Sequence, residues 1–66
     1  MKITVNGAPR DAVDGLTIAA LLAELELEPR GVAVELNRDI APRERFAEQQ
    51  LTDGDELEIV TLVGGG

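Results

Sequence analysis

Apolar and polar residues alternate in steps of two near both ends of this chain and fall into a helical repeat in between. At the start, Ile3 and Val5 alternate with Lys2, Thr4 and Asn6, the pattern of a half-buried strand. Asn6-Gly7 is a strong hairpin signal, so Arg10–Val13 is expected to return as a second strand ending at Asp14-Gly15. Pro9 suits an edge or a turn and not a central ladder. From Thr17 the period changes: Ile18, Leu21, Leu22 and Leu25 share one helix face. Thr17 is a reasonable N-cap although Ala20 stands where a capping box wants Glu or Gln, and Pro29 ends the helix at or before Glu28. The spacing predicts a helix over 18–27.

Val32, Val34 and Leu36 restore the alternation and predict a third strand, followed by a turn at Asn37-Arg38-Asp39 and a brief fourth strand from Ile40. Residues 42–50 show no sustained period, and Phe46 is expected to plug the core from this irregular segment. Asp53-Gly54 is a turn, and Glu56–Val63 completes the pattern as a last strand. One helix packed on one face of a mixed four- or five-stranded sheet buries both apolar surfaces in two layers, an α+β arrangement. If Leu57 and Ile59 face the core, Val60 and Leu62 point away from the helix. Beside the terminal glycines these two make a docking patch the preferred reading, with strand-end packing as the alternative.

Sixty-six residues give one domain with little core. There is no Cys and no His, which removes the disulfide staple, the thiol nucleophile, the commonest zinc ligand and the usual near-neutral base. The formal charge of −7, with Arg residues scattered among acids, argues against nucleic-acid binding. Such a charge either serves solubility or steers the chain toward a basic partner. Glu24, Glu26 and Glu28 crowd the expected C-terminal end of the helix, where the macrodipole favours cations. They form either a solvated face or a negative patch read by a partner. No signal peptide is seen, and the longest apolar run, Ile18–Ala23, is far short of the roughly 20 residues that span a bilayer. A cytoplasmic protein is expected.

The chain closes on Gly64, Gly65 and Gly66. Three residues without Cβ make a thin, conformationally open tail, able to thread a narrow channel. A frayed end is one reading; a terminal carboxylate held out for chemistry is the other. That carboxylate needs activation before a nucleophile can displace its oxygen, and this chain has neither a phosphate-cradling loop nor a Cys, His or Ser to do so. A carrier or substrate for enzymes is expected, not an enzyme.

The segments MKITVNG, LTIAALLAEL, GVAVELNRDIAPR, LTDGDELEIV and the final VGGG together resemble the ThiS-like sulfur carrier family of thiamine biosynthesis. The resemblance implies a ubiquitin-like β-grasp domain over residues 1–66 with a flexible tail at 64–66. It also implies that the Gly66 carboxylate is adenylated by a partner enzyme using ATP and converted to a thiocarboxylate with sulfur from an enzyme persulfide. Thiazole synthase then accepts the sulfur. Gly65 is the required neighbour, Gly64 is looser, and the family's partner-facing surface matches Val60 and Leu62. No bound cofactor or metal, no nucleic acid or membrane partner, and a monomeric free state are implied. The small subunit of molybdopterin synthase, sulfur supply to another pathway such as cysteine synthesis, a ubiquitin-like modifier and a plain binding module are the alternatives.

Overall fold

The computed structural model describes residues 1–62. Two hairpins and a last strand form a single sheet: β1 (Lys2–Val5), β2 (Ala8–Asp11), β3 (Val32–Leu36), β4 (Asp39–Ala41) and β5 (Glu56–Thr61), in the order β2-β1-β5-β3-β4. β5 runs parallel to β1 and antiparallel to β3, so the first and last strands are neighbours at the centre. One helix, α1 (Ile18–Glu24), lies on one face of this sheet. The mixed sheet therefore has five strands. The expected last strand stops at Thr61 as a strand, although Leu62 still donates its N–H to the Gly31 carbonyl at 2.8 Å; Val63 lies outside the described residues.

Both hairpins close through two residues with positive φ: Asn6 and Gly7 at 51° and 82°, Asn37 and Arg38 at 51° and 71°. That is the turn whose twist matches paired strands. A two-residue loop forces Val5 opposite Ala8, so the second strand starts two residues earlier than expected and leaves Val13 outside it. Pro9 sits opposite Thr4 on an edge strand, where a missing N–H is tolerated.

α1 starts as the sequence indicates, with Thr17 Oγ1 accepting from the Ala20 N–H at 3.1 Å. The two preceding N–H groups, which no helix can satisfy internally, donate to the irregular segment: Ile18 to the Gln49 carbonyl (3.0 Å) and Ala19 to the Phe46 carbonyl (2.9 Å). The crossover thus satisfies first-turn donors that the Thr17 side chain does not reach. It also delivers the buried Phe46 ring to the core formed by Ile18, Leu21 and Leu22 against Ile3, Val34 and Leu57.

The helix ends at Glu24, three residues before the expected Leu27. Glu26 takes a φ of 59°, its N–H donates to the Ala23 carbonyl, and the Leu27 N–H reaches back to the Leu22 carbonyl. This is the reversal usually built on glycine. A glutamate there costs about 1–2 kcal/mol of backbone strain, and Leu27 packing back against the core opposes that cost. Periodicity could not locate this stop. It also changes the acidic cluster: Glu24 pairs with Arg10 Nη2 at 3.0 Å, while Glu26 and Glu28 lie past the helix and are not on successive turns with it.

Asp55, just before β5, is the one buried carboxylate among the described residues, at 9% exposure. It accepts from the Thr52 N–H (2.8 Å), the Thr52 hydroxyl (3.0 Å) and Asn37 Nδ2 (3.0 Å). Burial pushes its carboxyl up; the hydrogen bonds from Asn37 and Thr52 outweigh that and hold it below its ordinary value. With the native value below the unfolded one, its contribution to stability is full above about pH 4 and is lost as pH falls through the native value. Asp55→Asn should therefore melt below the wild type at neutral pH. The gap in Tm should narrow as pH falls below about 4. A gap that stays constant across that range would show that the carboxylate charge is not what the network holds.

Candidate functional site: the end of the central strand

The chemistry read from the sequence converges on the far end of β5 and the residues beyond it. Gly64, Gly65 and Gly66 lie outside the described residues; the strand that leads to them is described through Leu62. Burial alternates along β5 as far as Ile59, beyond which Val60, Thr61 and Leu62 are all exposed. Leu57 and Ile59 are 1% and 8% exposed on the helix side, while Val60 and Leu62 are 58% and 46% exposed. The two candidate patch residues therefore do point away from the core, because helix cover is limited to one face and a strand's side chains change face at every residue.

β5 reaches this point held from both sides. Toward β3, Glu56 accepts from the Asn37 N–H (2.8 Å) and Leu62 donates to Gly31. Toward β1, the Leu57 carbonyl accepts from the Asn6 N–H at 2.9 Å. There the parallel ladder ends, and the Asn6 side chain takes over. The Ile59 N–H donates to Asn6 Oδ1 at 2.7 Å, and Asn6 Nδ2 donates to the Ile59 carbonyl at 3.2 Å. A carboxamide has the same donor and acceptor as a peptide unit, so Asn6 serves as one more rung of β1. The sequence marks Asn6 as a turn residue and carries no signal of this second task.

The exposed face of the sheet has a composition that the linear sequence only half shows. Val60 stands opposite Ala33, and Glu58 stands directly opposite Glu35, with Glu56 two residues back on the same strand. Like charges facing each other across a ladder are unfavourable, and none of the three glutamates is in a salt bridge among the described residues. They border an open cleft of about 380 Å³ that Thr4 and Arg38 also line. The negative surface next to the candidate patch thus comes from β3 and β5, whereas the helix-end glutamates are dispersed. Period-2 spacing put Glu56 and Glu58 on one face; only the register brought Glu35 to them.

No group of three or more Asp or Glu residues among the described residues could hold a metal ion, and no helix there is long and apolar enough to cross a membrane. The strand order, with first and last strands parallel at the centre and a single helix across one face, defines a β-grasp, ubiquitin-like protein.

The sequence profile described as "ThiS family" matches residues 3–66. A sulfur carrier protein ThiS of Escherichia coli (strain K12) is 32% identical over the whole of both chains. Its Bacillus subtilis (strain 168) counterpart is 50% identical over 50 residues, 76% of each chain. A thiazole synthase of Paramagnetospirillum magneticum is 46% identical over all 66 residues, which make up 20% of that protein. The chain thus spans about a fifth of the length of the two thiazole synthases it matches. Among solved structures, a thiamine biosynthesis protein (ThiS) of Geobacter metallireducens superposes with a TM-score of 0.85 at 36% identity, covering all of both chains. The chain belongs to the ThiS family.

Asn6→Gly keeps the positive-φ turn and removes only the carboxamide, so it reads the clamp alone. It should cost about 1–2 kcal/mol, for two hydrogen bonds, and should speed amide exchange at Ile59 more than at Leu57. Equal stability and unchanged exchange at Ile59 would show that the clamp adds nothing to holding the strand.

Proposed function

We propose that this chain is a sulfur carrier of thiamine biosynthesis, acted on by enzymes and not itself a catalyst. Residues 1–66 work as one domain, with Gly64, Gly65 and Gly66 as its reaching end. The Gly66 carboxylate attacks ATP on an adenylating enzyme, releasing pyrophosphate and leaving an acyl-adenylate. A persulfide on the enzyme then adds to the activated carbon and AMP leaves. A second enzyme thiol breaks the S–S bond of the resulting acyl disulfide, forming a disulfide with the donor cysteine and leaving sulfur in place of the oxygen lost to AMP. The resulting thiocarboxylate is a nucleophile and delivers its sulfur to thiazole synthase. One terminal group is thereby electrophilic while loading and nucleophilic while unloading, and no side-chain chemistry is asked of the carrier.

The observation that carries this reading is the family profile running through residue 66, and so through all three glycines, on a chain without Cys or His. The arrangement of β5 supports it. Its inner residues are anchored in the core, and its outer ones, Val60 and Leu62, offer an aliphatic contact a few residues before the reacting end. The glutamates beside them favour a partner with basic side chains around an apolar spot. ATP and the sulfur source belong to the partner enzyme in this scheme, and the carrier is a monomer between encounters.

Incubation with ATP, the cognate adenylating enzyme and a sulfur donor should raise the intact mass by about 16 Da, one sulfur for one oxygen. Deleting Gly66 or adding a residue after it should abolish the gain while leaving the thermal transition in place. An unchanged wild-type mass in a reaction where the enzyme is active, or sulfur loading of the extended chain, would overturn the assignment. Leu62→Asp should weaken binding to the adenylating enzyme about tenfold or more, with a change in stability within about 0.5 kcal/mol. A large loss of stability instead would mean that Leu62 belongs to the core.

A further inference from the structure

We propose that Thr61 is an open rung of the central ladder, and that the adenylating enzyme completes it with an extended main-chain segment. The proposal rests on the carrier reading for the identity of the partner, and on the geometry of β5 for everything else. Backbone groups along a strand point alternately to its two neighbours. Glu56 and Leu62 bond toward β3; Leu57 and Ile59 bond toward β1. By the same alternation the N–H and C=O of Thr61 point toward the β1 side. β1 has ended at Val5, and the carboxamide of Asn6 is used up on Ile59. Among the described residues nothing continues the ladder to Thr61.

The surroundings distinguish this gap from an ordinary frayed edge. Natural sheets protect their free edges with proline, charge or brevity. β2 carries Pro9 and the Lys2–Asp11 ion pair, and β4 is only three residues long. The stretch Ile59–Leu62 has no proline and no charge, and the exposed side chains of Val60 and Leu62 flank the open position. Both groups of one residue, a donor and an acceptor at strand spacing, are matched by another peptide backbone. The molecule itself shows the chemistry at the preceding rung, where an amide satisfies Ile59 in both directions. Addition of a partner strand here would fix the direction in which the following residues leave the sheet, which is what delivery of a terminal group requires.

Thr61→Pro tests this selectively. It removes an N–H that the sheet does not use, at a position whose N–H side faces outward, where proline is tolerated. Thr61→Ala keeps the N–H and removes the side chain. With the full chain and the cognate adenylating enzyme in calorimetric titration, Thr61→Pro should bind about tenfold more weakly than wild type, the effect of one hydrogen bond. Thr61→Ala should stay within about twofold. Amide exchange on the wild-type complex guards against misfolding of the proline variant: the Thr61 N–H should exchange rapidly in the free chain and at least tenfold more slowly when bound. Unchanged affinity of Thr61→Pro, equal loss in Thr61→Ala, or a Thr61 amide that gains no protection in the complex would each overturn the proposal. Protection that grows with the concentration of the free chain would overturn it too, by making a second copy the occupant. The mass gain is read separately. A wild type that takes up sulfur while Thr61→Pro binds normally defeats the open rung and leaves the carrier standing. A wild type that binds with Thr61 protected but takes up no sulfur does the reverse, and absence of wild-type binding overturns both.

Discussion

β5 is hydrogen-bonded on both flanks, to β1 in parallel and to β3 in antiparallel, and the rest of the molecule is arranged to keep it there. A parallel pair cannot be closed by a tight turn, so the helix, the second hairpin and the crossover through Phe46 must all intervene between Val5 and Glu56. Those elements are also what cover the strand. Leu57 and Ile59 bury against the helix and ring, each contributing about 1.5–3 kcal/mol by leaving water. In a domain of this size that share of the core decides whether the chain folds.

Two asparagines at equivalent places complete the hold on β5. Asn6 and Asn37 are each the first residue of a positive-φ turn, and each turns its side chain onto the central strand. Asn37 Oδ1 accepts from the Glu56 N–H at 2.9 Å where the strand begins, and its Nδ2 reaches Asp55. Asn6 brackets Ile59 farther along. Asparagine tolerates the left-handed turn that glycine would fill more easily, and unlike glycine it carries an amide to spend on a neighbour. The turns that close the hairpins are therefore also the clamps of the strand between them. Each net hydrogen bond is worth about 1 kcal/mol, but a strand group left dry and unpaired costs more than that.

The result is a strand anchored from both sides along its inner length. Buried residues and clamps along β5 end at Ile59; Val60, Thr61 and Leu62 are exposed, and Val60 shares its face with Glu56 and Glu58 and, across the ladder, Glu35. A carrier of the kind proposed here would use that division between a buried strand body and an exposed approach to its last residues. It also needs little else, which fits a composition without thiols or imidazoles.

Much of this could be read from the residue pattern. The alternation at Ile3 and Val5, at Val32, Val34 and Leu36, and at Leu57 and Ile59 gave three of the strands, and Thr17 marked the start of the helix, because burial on one face imposes a period and a cap needs a particular side chain. The outward direction of Val60 and Leu62 followed from the same period. What the pattern could not reach were features made by residues far apart in the chain. The early stop at Glu24 depends on Leu27 folding back to Leu22 and on a glutamate accepting a left-handed backbone that packing sustains. The Glu35–Glu58 pairing depends on register, and the duties of Asn6 and Asn37 toward β5 appear only once that strand lies between the two hairpins. Local periodicity reports which side of an element is buried; which partner meets it is fixed by the closure of the whole sheet.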